Sequence, residues 1–410
     1  MHCAQKLTDH IYWIGSNDWS TERFENLFPI PNGVSYNSYF IDDEKTCIVD
    51  SVDDSIRQEF FDNVEHLLNG RELDYLIVNH MEPDHCATLV ELLDRYPNVK
   101  MVGNKTTFRF FEQFYGRPAP ENYYEVKEGD TIDLGHHKLH SYTMQIVHWP
   151  EVTCTYESTT GTLFSADAFG TFGTINGNIF ADQLDFDRVY EDEARRYYTK
   201  IAGKYGAQVQ NALKKVSALD VKIIAPLHGP IWRTPDTISY ILNKYMHWST
   251  YNAEKKGVVI AFGSMYGNTA EMAQQLAKLL SLRGVTDIRI YDVSKTNPSY
   301  IISDAWKYSH LVCMAPTYNL GLYLTMENLL HELHALNFHN HKVSIVGNHS
   351  WASGAMKRMV EYFTNEFKNM EIVGTPLDIK GALHDEQLPL FEELADAIVA
   401  SLAETDIKTL

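Results

Sequence analysis

Two patterns of apolar and polar positions follow one another along the chain. In the first, short apolar runs are interleaved with stretches whose apolar positions recur every three or four residues. The runs at 11–14, 46–49, 76–78, 138–143, 153–157, 163–165 and 222–225 read as strands. Residues 55–68, 88–96, 106–115, 234–248 and a long segment from 188 to 217 read as helices. Gly135-His136-His137 has the composition of a hairpin turn, which makes His136 and His137 solvated turn residues. The polar stretch 251–257 then interrupts the rhythm, and a linker placed there divides residues 1–253 from 254–410. In the second pattern strands and helices strictly alternate. Continuous apolar runs at 258–262, 288–291, 311–315 and 343–346 are each followed by a helical stretch, the first at 270–282. Unbroken apolar strands separated by helices predict a parallel sheet covered on both faces.

Composition adds limits. At 410 residues the chain exceeds one typical core, which agrees with two domains. It is 44% hydrophobic and 22% charged, with no run of the ~20 apolar residues that a membrane span needs. Met1 to Lys6 contain no apolar segment of the kind that opens a signal peptide. The net charge of −19 argues against nucleic acid as a main partner. The cysteines Cys3, Cys47, Cys86, Cys154 and Cys313 are scattered, without a Cys-x-x-Cys pair. That indicates no zinc knuckle, iron–sulfur cluster or thioredoxin-like pair and fits a reducing, cytoplasmic setting. Cys86 is expected to be a small buried residue opening a helix over 87–95.

The chemistry concentrates in one ordered set of residues. His80, Glu82, Asp84 and His85 follow the apolar run Tyr75-Leu76-Ile77-Val78. His148, Asp167 and His228 come later, each after a β-rich stretch or at the mouth of a turn. Ligands at strand ends can converge on one edge of a sheet. Four imidazoles and three carboxylates, with no thiolate, suit two metal ions better than one. The remaining histidines, among them His310, His331, His334, His339 and His341, have no such context and read as surface or helix-face residues. Trp149 and Trp232 stand close to ligands and are candidates to wall the pocket.

The second half carries three candidate loops at strand ends. Gly263-Ser264-Met265-Tyr266-Gly267-Asn268-Thr269 follows a strand and opens a helix, so hydroxyls and backbone amides can surround a phosphate. It has neither Gly-Lys-Ser/Thr nor Gly-x-Gly-x-x-Gly, which disfavours a nucleoside triphosphate and a dinucleotide. The other loops are Ala315-Pro316-Thr317-Tyr318-Asn319-Leu320-Gly321 and Gly347-Asn348-His349-Ser350-Trp351-Ala352-Ser353-Gly354. Such loops are where an open α/β sheet binds ligands, and Tyr318 and Trp351 could flank a flat ring.

The Ser/Thr-rich turn ending in Gly-Asn-Thr resembles that of flavodoxin, which implies a noncovalent FMN. The first half resembles the metallo-β-lactamase superfamily, an αββα sandwich whose hydrolases carry His-x-His-x-Asp-His. Here Glu82 replaces the second histidine. A harder, anionic ligand favours iron over zinc. His-x-Glu-x-Asp-His joined to a flavodoxin-like doubly wound sheet resembles the flavodiiron proteins over essentially the whole chain. The resemblance implies one iron on His80, Glu82 and His148, a second on Asp84, His85 and His228, and Asp167 bridging both. In some members the residue matching His85 is replaced by water. The implied reaction is reduction of dioxygen to water, with reduction of nitric oxide to nitrous oxide as the alternative. It also implies a head-to-tail homodimer, alone or within a tetramer. No rubredoxin or flavin-reductase sequence follows residue 410, so a separate donor of either kind is expected. A zinc hydrolase and an electron carrier with a vestigial metal domain are the competing readings. Glu82 weighs against the first and the intact ligand set against the second.

Overall fold

A computed structural model describes residues 1–407. The chain forms two compact units. The first comprises Met1–Tyr198 and Ala207–Met246, and the second comprises Thr199–Gly206 and the chain from His247 onward.

The first unit is built on two sheets. One has the strand order Gln5–Lys6, Ile11–Trp13, Tyr39–Ile41, Cys47–Val49, Tyr75–Ile77, Lys100–Gly103, Tyr124–Glu125. The other runs Thr131–Asp133, Lys138–Thr143, Thr153–Glu157, Thr162–Phe164, Ile223–Ala225. Ile11, Tyr39, Val49, Ile77 and Val102 of the first sheet pack with Ile132, Leu139, Phe164, Ile223 and Ala225 of the second in one buried cluster. Full burial of each large apolar side chain contributes roughly 1.5–3 kcal/mol, so this layer holds the sandwich together.

Register explains where the sandwich is open to chemistry. Val49, Ile77 and Val102 are parallel neighbours in the first sheet, and Phe164 and Ala225 are parallel neighbours in the second. His80, Asp167 and His228 each lie three residues beyond Ile77, Phe164 and Ala225, the last residues of their strands. Equal offsets from parallel strand ends bring these side chains to one edge at one depth.

Several expected elements differ. The segment 188–217 is not one helix but Phe186–Val189, Glu191–Ile201, a 3-10 turn Gly203–Tyr205 and Gly206–Val216. Gly203 and Gly206 weaken the helix at the break, and a Cβ on Gly206 would run into the Ser249 carbonyl. Cys86 does not open the next helix; it closes the short helix Pro83–Cys86, ahead of Leu89–Arg95. His137 is not solvated: it is 3% exposed, and with exposed His136 it is bonded to Asp43. His310 and His341 are buried rather than on the surface. The short strands Ser16–Asp18, Arg23–Phe24, Phe28–Pro29 and Val34–Tyr36 were not anticipated.

The second unit is a parallel sheet ordered Ile288–Asp292, Lys255–Phe262, Tyr308–Tyr318, Lys342–His349, Leu377–Lys380. Helices Asn268–Leu282 and Leu388–Glu404 pack over Val258, Ile260, Val312 and Val346. The strand Tyr308–Tyr318 runs past 311–315, so Pro316, Thr317 and Tyr318 lie on its end and the turn falls at Asn319 and Leu320, both with positive φ. All five cysteines are free thiols, and Cys3 alone among them is exposed. Among the described residues, no helix is long and apolar enough to cross a membrane.

Candidate metal centre

The loop after Tyr75–Ile77 is held before it reaches the site. Asp50 accepts from the Asn79 amide at 2.7 Å, from Asn79 Nδ2 at 2.9 Å and from the His80 amide at 3.3 Å. Pro83 starts a helical turn, with Glu82 capping it and Asp84 and His85 on it. That turn aims three side chains into one space from four consecutive residues.

The side chains form two groups. The ligand atoms of His80, Glu82, His148 and Asp167 lie within 4.8 Å of one another, and so do those of Asp84, His85 and His228. Glu82 Oε2 is 3.1 Å from His80 Nε2 and 3.0 Å from His148 Nε2. Asp84 Oδ2 is 3.3 Å from the Nε2 atoms of both His85 and His228. Asp167 faces both groups: Oδ2 is 3.1 Å from His148 Nε2, and Oδ1 is 3.0 Å from His85 Nε2. His85 is 1% exposed and turned inward.

Outer contacts orient the rings. His80 Nδ1 lies 2.8 Å from Glu151 Oε1, and His228 Nδ1 lies 2.9 Å from the Ser35 carbonyl. Each contact leaves Nε2 free to face the pocket. The next residue, Gly229, has φ 73°, and a Cβ there would collide with the Thr171 side chain. Its amide donates to Ser35 Oγ at 2.7 Å, so the same segment supports both residues.

The carboxylates dominate the electrostatics. Burial opposes charge on the imidazoles, but Asp84 and Asp167 raise His85 to about 9. Asp167 and Glu82 likewise raise His148 to about 9. His80 is held well above its usual value against burial, chiefly by Asp167 and Glu151. Despite burial, the facing histidines hold Glu82 and Asp167 well below the ordinary carboxylate range. The cavity therefore calls for positive charge. Asp84 Oδ1 and Oδ2, His85 Nε2, Asp167 Oδ1 and His228 Nε2 are buried without a hydrogen-bond partner. A buried polar atom with no partner at all costs roughly 1–3 kcal/mol, and here the charge contacts described above offset part of that. Two cations would give these atoms partners, and a nitrogen–oxygen donor set rich in carboxylates fits iron.

Aromatic rings wall the pocket. Trp149 stands edge-on to His80 at 5.4 Å and rests on Phe110 and Phe114. Phe24 and Tyr197 meet His228 at 5.3 and 5.5 Å. Trp232 is not part of this wall; its Nε1 donates to the Phe169 carbonyl and its ring packs on Phe186. Glu25 was missed by sequence reasoning. It sits on the exposed tip of the hairpin Arg23–Phe24/Phe28–Pro29, and its carboxyl is pushed up to about 7 by desolvation where it faces the pocket and by Glu82. Glu151 was missed too, since its contact with His80 spans 71 positions.

In the second unit the three loops follow adjacent parallel strands and lie at their carboxyl ends. Ser264 Oγ accepts from the amides of Gly267 and Ala270, shaping the turn before helix Asn268–Leu282. Thr269 is buried beneath it. Thr317 Oγ1 accepts from the amides of Gly354 and Ala355 and ties the second loop to the third. Asn348 is buried, its Nδ2 donating to the Ile379 and Gly381 carbonyls, while Ser353 Oγ donates to Asp378. Tyr266 is 94% and Trp351 81% exposed, with Met265 and Tyr318 also exposed. Large aromatics left open around a helix N-terminus at strand ends fit a flat, phosphate-bearing cofactor such as FMN.

The halves match known families separately and in order. Residues 34–229 match the ODP family beta lactamase model, and residues 260–393 match the flavodoxin model. The anaerobic nitric oxide reductase flavorubredoxin of Klebsiella pneumoniae is 29% identical over 363 residues, covering 86% of this chain and 73% of that protein. A variant flavo di-iron protein from Thermotoga maritima superposes with a TM-score of 0.88 at 25% identity, covering 97% of this chain and 98% of that one. The rubredoxin oxygen:oxidoreductase of Desulfovibrio gigas has the same fold, with a TM-score of 0.91 at 24% identity over 98% of both chains. With a β-lactamase-like domain and a flavodoxin domain joined in this order, the chain belongs to the flavodiiron proteins, a family of oxidoreductases.

Proposed function

We propose that this chain reduces dioxygen to water at a non-haem diiron centre supplied with electrons by FMN. Residues 1–253 hold the metal and 254–410 the flavin. His80, Glu82 and His148 hold one iron, Asp84, His85 and His228 the other, and Asp167 bridges them. The supporting observation is the pair of buried ligand groups that share Asp167, several of whose polar atoms have no hydrogen-bond partner.

When bound, the irons supply a site for a diatomic gas together with electrons, and FMN replenishes them one or two at a time. The chain's own residues set the conditions. Trp149, Phe24 and Tyr197 exclude bulk water, which strengthens every charge interaction inside. Glu25 places a protonatable group at the pocket. In the flavin half, Ser264, Met265, Tyr266, Gly267, Asn268 and Thr269 surround the phosphate. Pro316, Thr317, Tyr318, Asn319 and Gly321 with Asn348, Ser350, Trp351, Ser353 and Gly354 frame the ring.

The reading also places the protein in the cytoplasm, with a rubredoxin-like protein or a flavin reductase as donor. Two copies pair head to tail, so that the flavin of one serves the iron of the other. Activity per chain then falls on dilution as dimers dissociate, and full activity from a monomer verified by light scattering would overturn the pairing.

Nitric oxide reduction is the second reading, favoured by the name of the Klebsiella relative. The deciding experiment reduces the iron-loaded, flavin-loaded protein anaerobically and titrates it with each gas separately. Faster reoxidation by dioxygen, with water as product, supports the first reading. Sustained nitric oxide turnover above the dioxygen rate makes the second the principal one. A preparation holding zinc and no iron would end both.

A further inference from the structure

The two groups of ligands are alike in composition. Each offers two imidazoles and one carboxylate of its own, and each faces one oxygen of Asp167. One difference between them lies behind the rings. On one side, the outer nitrogen of His80 meets the carboxylate of Glu151 at 2.8 Å. On the other, the outer nitrogen of His228 meets the neutral carbonyl of Ser35 at 2.9 Å, and the outer nitrogen of His85 has no hydrogen-bond partner.

Glu151 is fixed in place. It is fully buried, and the same Oε1 that meets His80 accepts from the Met81 amide at 2.9 Å. Its backbone carbonyl accepts from Asn104 Nδ2 at 2.6 Å. Asn104 in turn caps helix Lys105–Tyr115 through the amides of Thr106 and Thr107. The other carboxylate oxygen, Oε2, is buried without a hydrogen-bond partner. An ionised group in such a place is costly unless positive charge lies nearby. Through His80, Glu151 would reach a cation held in the pocket.

We propose that Glu151 is a positioning residue that makes the two irons inequivalent. It accepts the Nδ1 proton of His80, fixes the tautomer that turns Nε2 to the metal, and makes this imidazole a stronger electron donor than His85 or His228. The iron on the His80, Glu82 and His148 side is therefore the one that stays ferric when the centre has taken up one electron. This inference rests on the diiron reading, and the test separates the two.

Glu151→Gln keeps an acceptor for His80 and Met81 but removes the charge, and Glu151→Ala removes both. Each is compared with the parent as full-length, iron-loaded and flavin-loaded protein. In Glu151→Gln both irons remain. The second reduction of the centre shifts to higher potential, so less of the one-electron-reduced state appears by electron paramagnetic resonance, while the flavin potentials stay unchanged. In Glu151→Ala, chelator competition shows roughly 10–100-fold weaker retention of one iron. Unchanged potentials and unchanged yield of the one-electron-reduced state in Glu151→Gln would overturn the proposal. So would undiminished iron retention in Glu151→Ala. If Glu151→Ala does not accumulate as folded protein, the Gln variant decides alone. If the parent protein itself takes up no iron, the diiron reading fails first.

Discussion

Asp167 Oδ1 lies 3.0 Å from His85 Nε2, while the other oxygen of the same carboxylate lies 3.1 Å from His148. One short side chain therefore serves both ligand groups, whereas His85 serves one. Asp167→Ala should lose most of both irons, and His85→Ala should keep at least about one per chain, since His85 faces one ligand group only. Elemental analysis of the two purified variants checks this, and equal iron content in both would count against the bridge.

The tie between the two sheets at Asp43 should depend on pH. Asp43 accepts from His136 Nδ1 at 3.0 Å and His137 Nδ1 at 2.9 Å. Burial alone would raise it, but backbone and side-chain donors from this hairpin hold it well below the carboxylate range, and Asp43 holds His136 above its usual value. The lowered carboxylate contributes stability above about pH 3.9 that is lost as pH falls toward its folded value. The raised imidazole contributes stability below about pH 6.5 that is lost as pH rises through its folded value. Asp43→Asn should lower the melting temperature most at about pH 5–6 and less at about pH 8. A deficit that does not change with pH would refute the coupling.

Trp149 should matter for product rather than for binding. Its ring covers His80 on the side of Phe110 and Phe114. Trp149→Ala admits water, so iron content should stay the same while more of the consumed dioxygen is released as hydrogen peroxide. A peroxidase-coupled assay reads the difference, and unchanged peroxide release would mean the wall is elsewhere.

Gly229→Ala should destabilise the first unit by about 1–3 kcal/mol, because φ is positive and Thr171 occupies the space a methyl needs. Iron retention should fall with it, since the residue follows His228 and binds Ser35. Urea unfolding and metal analysis of the same sample check both.

Much of this site is legible in the sequence for a physical reason. His80, Asp167 and His228 sit just past apolar strands, and the turn from Pro83 follows from local chain chemistry. Those signals are short-range. The parts that escaped depend on distant pairing. Glu151 acquires its role only when the loop after 143 folds against the loop after 77. Glu25 is delivered by strands of two residues each, too short to alternate visibly. His137 looks like a turn residue until Asp43, from the other sheet, closes over it. The helix expected over 188–217 breaks at glycines, one of which lies against a backbone far along the chain.

The shared offset of His80, Asp167 and His228 from their strand ends turns the metal centre into a proofreader of the sheets. Successive residues of a strand point to opposite faces, so a slip by one position would swing a ligand away from the cavity. Proteins whose strands pair in the wrong register could still bury apolar surface, but they could not gather the donors that two cations require. Metal uptake would then select the correctly registered chains from among near neighbours of similar compactness, and hold them there.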